Sequence, residues 1–461
     1  MDIKISDLVR ETGGQILGPL NENEPVRRVS TDTRLTEKGD IFFAFPGSRF
    51  DGHDFIAQAI EKGVRNFVVS DLSRIPPEAM KKATMIRVGD TVRAYGDLAR
   101  FYRQQFKIPA VAITGSSGKT TVKELTAHLL SSKFKVLKNR GTENNLIGVP
   151  KTMFQLDPSH EVLVLEMGTN QPGEIERLSS LIAPQVGMVT LIGVSHLEGL
   201  KSTEGVREEK LKILKNLSRG GQLILNGEDP FLKEVQSGVH QIRRVGFSKE
   251  GTGLFAENSR LGEHGTSFLL NGTDFFETQL SGRHNLINCL MALQGAMSFQ
   301  VSLPALQKSL KEFKPVPGRL CPRVMDGIVF LDDSYNSNPS SFAAGLETLK
   351  SMKARGKKGV VCGDMLELGT ESEAWHRRMG KLLGDLSFDF VVATGPECKF
   401  LVEEALGSGY HQAKIFHTDD SAQAGLLVRR LAGAGDLVLV KGSRGMQMEK
   451  VFECFINCSI P

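Results

Sequence analysis

Thr114-Gly115-Ser116-Ser117-Gly118-Lys119-Thr120 follows the apolar run Ile108-Pro109-Ala110-Val111-Ala112-Ile113 and leads into Val122 to Leu130, where apolar residues recur at helical spacing. The order reads as strand, phosphate loop and helix. Glycines let backbone N–H groups turn toward an anion, Lys119 brings a point charge for the β- and γ-phosphates, and the Thr120 hydroxyl can ligate magnesium. Gly115, Ser116, Ser117, Gly118, Lys119, Thr120 and Thr121 are therefore the candidate ATP contacts. The longer form of the pattern has glycine where this chain has Ile113, which argues against a generic GTPase and toward nucleotide-dependent ligases.

Working outward, the apolar runs Val162–Leu165, Val186–Val189 and Gln222–Leu225 alternate with helical stretches, which predicts a mainly parallel sheet covered by helices. Pro315-Val316-Pro317-Gly318 breaks the pattern and predicts a hinge. Beyond it, Ile328–Leu331, Gly359–Cys362, Phe390–Ala393 and Leu437–Val440 predict a second, Rossmann-like doubly wound domain. Before the loop, short runs such as Ile41–Phe45 and Asn66–Val69 suggest a small α/β domain. The expected division of the 461 residues is thus 1–106, 107–314 and 315–461. Open α/β sheets place chemistry at the carboxyl ends of strands, here Glu166, His196, Asp333, Asp364 and Lys441.

Charges nearly balance, at a formal +4, so no basic field points to nucleic acid. The N-terminal residues from Met1 to Asp7 lack the order of a signal peptide, and no run approaches membrane-spanning length, so a cytoplasmic protein is expected. The six cysteines, Cys289, Cys321, Cys362, Cys398, Cys454 and Cys458, show no paired metal-ligand spacing and read as reduced thiols. Cys454 and Cys458, four apart, have the spacing to share a helix face, but core packing is the reading expected of them.

Several ordered motifs carry a family resemblance. They include Ser30-Thr31-Asp32-Thr33-Arg34, the loop just described, Asn144-Asn145-Leu146-Ile147-Gly148-Val149-Pro150, Glu166-Met167-Gly168, His196-Leu197-Glu198 and Gly282-Arg283-His284-Asn285-Leu286-Ile287-Asn288. Pro317-Gly318-Arg319, the run Asp332–Pro339, the run Gly363–Gly369 and Lys441-Gly442-Ser443-Arg444 follow. Together they resemble the Mur ligase family of peptidoglycan synthesis along essentially the whole chain. Asp332–Pro339 and Gly363–Gly369 resemble its dipeptide-adding members.

The resemblance implies an ATP-dependent amide ligase that joins a UDP-N-acetylmuramoyl tripeptide to D-alanyl-D-alanine through an acyl phosphate, uses magnesium, and acts as a monomer. Lys119, His196, Lys210 and Arg319 are then the catalytic candidates, and Thr120, Glu166, His196 and Lys210 the metal candidates, Lys210 as a carbamate. Asn285, Asn288, Arg319 and Asp333 would join the nucleotide site. Ser30, Thr31, Asp32, Thr33 and Arg34 would meet the uridine diphosphate, and Thr142, Asn144 and Asn145 the muramoyl peptide. Asn336, Asn338, Lys441, Ser443 and Arg444 would hold the dipeptide, Lys441 alternatively a phosphate. The plain structural alternatives are a surface strand-end carboxylate for Glu166, against which the buried run Val162–Leu165 argues, a polar turn for Ser30–Arg34, a local cap for Asn288, and a solvated helix face for Glu208 to Lys212. Two rival readings are a folylpolyglutamate synthetase-like ligase, for which Ser30–Arg34 has no purpose, and a non-catalytic nucleotide switch, for which the full acyl-transfer set is superfluous.

Overall fold

Runs of aliphatic residues that shun water on both faces make the strands. The computed structural model describes residues 1, 3–19, 25–262 and 265–456, in three sheets. Cys458 lies outside the described residues, so its pairing with Cys454 on a helix face does too. The chain divides into two compact units, one of Met1–Ala110, Lys135–Met167 and Arg177–Ala183, the other of Val111–Phe134, Gly168–Glu176 and Pro184–Pro461.

In the first unit a five-stranded sheet runs in the order Gln15–Leu17, Thr84–Arg87, Asn66–Val69, Asp40–Phe43, Arg28–Ser30, parallel except at its first pair. Phe42, Phe67, Val69 and Met85 fill one side of it with Ile56, Ala59 and Ala79. The same unit holds the parallel pair Val136–Lys138 and Val162–Glu166. Val162, Leu163, Val164 and Leu165 are each 0% exposed, and burying such side chains contributes about 1.5–3 kcal/mol apiece. Glu166 sits at the end of that run because the strand carries it there.

In the second unit the strands lie in the order Asp274–Thr278, Gly265–Leu270, Leu254–Gly262, Gln241–Gly246, Gln222–Asn226, Val186–Val189 and Ala110–Thr114. The last five are parallel, as the apolar runs predict, while the first three form an antiparallel meander that alternation did not announce. Beyond Pro315–Gly318, which has no helix or strand, a six-stranded sheet follows. Its order is Cys321–Met325, Ile328–Asp333, Leu437–Lys441, Lys358–Gly363, Phe390–Thr394, Ile415–Thr418, antiparallel only at the first pair. Chain order reverses beside Leu437–Lys441, so Asp333 and Lys441, paired in register, stand at the switch point where such sheets take ligands. Asn338 starts the helix Pro339–Ser351, its side chain accepting the Ser341 N–H at 2.9 Å. Such a cap is worth about 1 kcal/mol.

Candidate active site around the phosphate loop

Backbone freedom builds the loop. Gly115 and Gly118 have φ of +150° and +83°. A Cβ on Gly115 would lie 1.9 Å from Thr190 Oγ1, and one on Gly118 2.6 Å from Asn288 Oδ1, so both positions exclude a side chain by conformation and by space. Gly118 caps the helix Lys119–Leu130, whose first turn presents N–H groups and the positive end of its dipole. Lys119 Nζ donates to Gly115 O at 2.7 Å.

The candidate loop residues divide their duties. Ser116 Oγ donates to Gly193 O and accepts the Gly193 N–H, both at 3.0 Å, and accepts from Ser195 Oγ at 2.9 Å. Its hydroxyl is thus tied to the segment leading to His196, leaving its backbone to the loop. Asp229 holds the other side of that segment by accepting the Ile192 N–H at 2.6 Å. Thr120 and Thr121 are buried at the helix start, and Ser117 is half-buried. Asn288 Nδ2 donates to Asn285 Oδ1 at 3.0 Å and Asn285 Nδ2 to Ser281 O at 2.9 Å, so the two amides brace the loop at Gly118.

Residues from beyond Pro315–Gly318 reach the same loop. An Arg319 guanidinium nitrogen donates to Thr120 Oγ1 at 3.3 Å while the group lies 4.2 Å from the Tyr335 ring centre, and Asn338 Nδ2 donates to Ser116 O at 3.3 Å. Lys441 is 1% exposed; its Nζ pairs with Asp333 Oδ2 at 2.6 Å and donates to Asn336 O at 3.1 Å. Burial lowers its pKa, against the pull of Asp333. Ser443 Oγ accepts the Leu366 N–H at 2.8 Å and donates to Ser337 O at 3.2 Å. Asn336 Oδ1 accepts the Ser337 N–H at 2.9 Å, and Arg444 is exposed and pairs with Glu449 at 2.8 Å. Of the dipeptide candidates, Arg444 alone offers an exposed cation.

Lys210 is 1% exposed, on the helix Thr203–Leu211. Burial pushes its pKa well below the ordinary lysine value and the Lys119 charge pushes it further, with Glu209 opposing. Glu209 is itself occupied, accepting the Gly173 and Ile175 N–H groups at 2.7 and 2.8 Å and pairing with Lys212 at 2.7 Å. His196, in the left-handed region at φ +55°, places Nδ1 2.8 Å from Glu367 Oε2. That contact, with Lys119 adding to it, holds the Glu367 carboxyl below the usual range.

In the first unit, Glu166 is 1% exposed, with Oε1 accepting from Asn144 Nδ2 at 2.7 Å. Its Oε2 is buried and has no hydrogen-bond partner among the described residues. A buried oxygen left so is costly unless something pairs with it, which suits a cation. Asn145 Oδ1 accepts the Ile147 and Gly148 N–H groups at 3.1 and 2.8 Å just ahead of the helix Gly148–Met153, and Thr142 O accepts the Asn144 N–H at 2.7 Å. In the segment 30–34, Arg34 clasps Asp32 through two nitrogens at 2.9 and 2.6 Å and holds that carboxyl down to about 2. Ser30 Oγ donates to Asp32 O at 3.3 Å, Thr33 Oγ1 to Gln58 Oε1 at 3.2 Å, and Thr31 is half-buried. The Arg34 side chain is 85% exposed, so the pair is accessible to an incoming phosphate.

A buried trio of Asp364, His376 and Cys398 has ligand-type atoms within 4.8 Å of one another. Each is already employed. His376 Nδ1 faces Ser372 O at 2.8 Å and Nε2 accepts the Met365 N–H at 3.1 Å, while Asp364 Oδ1 accepts the Cys398 N–H at 2.8 Å. The trio is a brace for the run Gly363–Gly369. His284 is a residue to which motif reading assigned no role. Burial pushes it down to about 4, with the Asp333 charge opposing and Lys441 assisting. A histidine of ordinary pKa about 6.5 when unfolded contributes its stability fully above that pH and loses it as pH falls toward 4. We expect unfolding by urea to become easier by up to about 3 kcal/mol across that window, with the His284→Gln slope visibly shallower. An unchanged slope would remove the assignment.

Three family models match in chain order: the Mur ligase family catalytic domain over residues 25–103, the Mur ligase middle domain over 113–296 and the Mur ligase glutamate ligase domain over 318–444. The chain is 33% identical to the UDP-N-acetylmuramoyl-tripeptide--D-alanyl-D-alanine ligase of Bacillus subtilis (strain 168) and 36% identical to that of Escherichia coli (strain K12), covering 98% of each chain in both cases. A crystal structure of MurF from Acinetobacter baumannii superposes with TM-score 0.88 at 30% identity over 99% of both chains. MurF of Thermotoga maritima in complex with ADP gives 0.83 at 29% identity, over 93% of this chain and 97% of that one. Near-complete coverage by sequence and by structure, with every domain model in place, shows that this chain belongs to the Mur ligase family.

Proposed function

We propose that the chain joins the terminal carboxylate of a UDP-N-acetylmuramoyl tripeptide to the amine of D-alanyl-D-alanine at the expense of ATP, giving the UDP-muramoyl pentapeptide. The full-length relatives bear the name of this reaction. The observation that carries the reading is cationic crowding at the phosphate loop: Lys119 is close enough to depress Lys210, and Arg319 sits on Thr120. A carboxylate is a poor acylating agent because oxide leaves badly. Its oxygen therefore attacks the γ-phosphorus and ADP departs; the neutral amine nitrogen then attacks the acyl carbon, the C–O bond breaks, and the nitrogen's surplus proton leaves with the departing phosphate. Bringing two anions together in the first step requires positive charge already in place.

Lys119 and Arg319 supply that charge from the chain itself. Magnesium, which Thr120 and His196 would hold in the second unit, neutralises phosphate oxygens when bound. Glu166 offers a spare oxygen for a cation in the first unit. Burial biases the Lys210 amine toward its neutral, nucleophilic form; with carbon dioxide its nitrogen would bond to carbon and lose a proton, giving a carbamate whose oxygen would supply an anionic ligand to the metal. Arg34 and Asp32 address the uridine diphosphate, and Arg444 the carboxylate of the incoming dipeptide. We place the reaction in the cytoplasm, where ATP is supplied.

The test is phosphate release with ATP, magnesium, D-alanyl-D-alanine and a UDP-N-acetylmuramoyl tripeptide carrying either lysine or diaminopimelate, omitting each in turn. Turnover is expected only with both substrates, with the pentapeptide seen by mass. ATP binding with no product from either tripeptide would overturn the reading in favour of another ligase or a switch.

A further inference from the structure

We propose that Glu367 is a positioning residue that reaches His196 from beyond the hinge and fixes its imidazole for metal binding. The inference rests on the ligase reading and extends it to how the last domain takes part. Glu367 lies in the run Gly363–Gly369, whose backbone is pinned from within: Met365 N–H to His376, Leu366 N–H to Ser443, and Asp364 to the start of the helix Cys398–Gly407. Those anchors present Glu367 at φ +63°, a left-handed conformation that residues other than glycine rarely adopt. Its partner His196 is left-handed too, at φ +55°. Two such residues meeting through a 2.8 Å contact between Oε2 and Nδ1 mark a geometry kept for what it does.

Its energy does not explain it. The Glu367 side chain is 59% exposed and His196 21%, and ion pairs so open to water stabilise little. The pair instead has the form that orients metal-binding histidines: a carboxylate accepts the proton of one ring nitrogen, which fixes the tautomer and leaves the other nitrogen as an acceptor. Gly369, at φ +57°, lies so that a Cβ would be 3.5 Å from Glu198 Cγ, showing that the run follows the chain past His196 as well. Because Glu367 and His196 lie on opposite sides of the hinge sequence, the histidine is oriented only while the last domain is docked. Metal binding there is thereby coupled to docking.

The experiment titrates full-length protein in saturating ADP with Mn2+, reading free Mn2+ by paramagnetic resonance, for wild type, Glu367→Ala, Glu367→Gln and His196→Ala. Wild type is expected to show two classes of bound ion, one of which His196→Ala abolishes. Glu367→Ala should weaken that class by about 10- to 100-fold and leave the other unchanged, while Glu367→Gln, whose carbonyl still accepts the proton, falls between. If wild type lacks the second class, or His196→Ala keeps it, the metal role of His196 fails and takes the inference with it. If His196→Ala loses the class and Glu367→Ala retains it at wild-type affinity, the Glu367 assignment alone is overturned.

Discussion

Lys210→Ala protein should still bind ATP yet turn over about 100- to 1000-fold more slowly, the scale on which a single preorganised electrostatic group contributes to a reaction. A side chain 1% exposed is badly served as an ammonium ion. Burial disfavours that ion most, and Lys119 repels it as well. As a carbamate the same atom chain becomes an anion, so its relation to Lys119 turns from repulsion to attraction. The decisive variant is Lys210→Arg, which restores charge and cannot be carbamylated. It should be as inactive as alanine, and a short carboxylate added to Lys210→Ala should recover part of the rate. Protein equilibrated with 13C-labelled bicarbonate should show a carbamate carbon resonance that Lys210→Ala lacks. An active arginine variant would sink the idea.

Lys441→Ala should destabilise the last domain by about 3–5 kcal/mol, since removing one member of a buried pair leaves the other charge unpaired. Asp333, whose side chain is 15% exposed, would lose the ammonium at 2.6 Å, although Oδ1 still accepts the Leu320 N–H at 3.2 Å. Trp375, the only tryptophan in the sequence, lies in the helix Ser372–Leu386 of that domain and reports its unfolding by fluorescence. Replacing both partners by apolar residues should recover most of the loss. The measurement also decides between two roles for Lys441. A variant as stable as wild type but unable to use the dipeptide would make it a substrate ligand, whereas an unstable one makes it a post between strands.

Most strands were legible because uninterrupted apolar runs such as Val162–Leu165 and Leu437–Val440 have few other ways to hide. Their ends ran one residue further, to Glu166 and Lys441, because a ladder does not stop where hydrophobicity does. The meander was illegible since its first strand, Leu254–Gly262, is buried for three residues and then exposed, without alternation, and its register shifts between Glu257 and Arg260. The phosphate loop could be read residue by residue, because its glycines answer to local geometry. What each polar motif residue holds could not. Ser443 and Asn145 look the same in sequence whether they bind a ligand or a backbone N–H, and Glu367 gains meaning only from a histidine 171 positions away.

Asn338 has a further consequence for motion. One carboxamide starts the helix Pro339–Ser351 through its oxygen and touches the Ser116 carbonyl through its nitrogen. Its oxygen and nitrogen are joined by a rigid plane, so neither contact can shift without turning the other. Fraying of that helix and breathing of the phosphate loop are therefore a single fluctuation, and a nucleotide that stills the loop also stills the helix, lowering the entropy left for the dipeptide to remove.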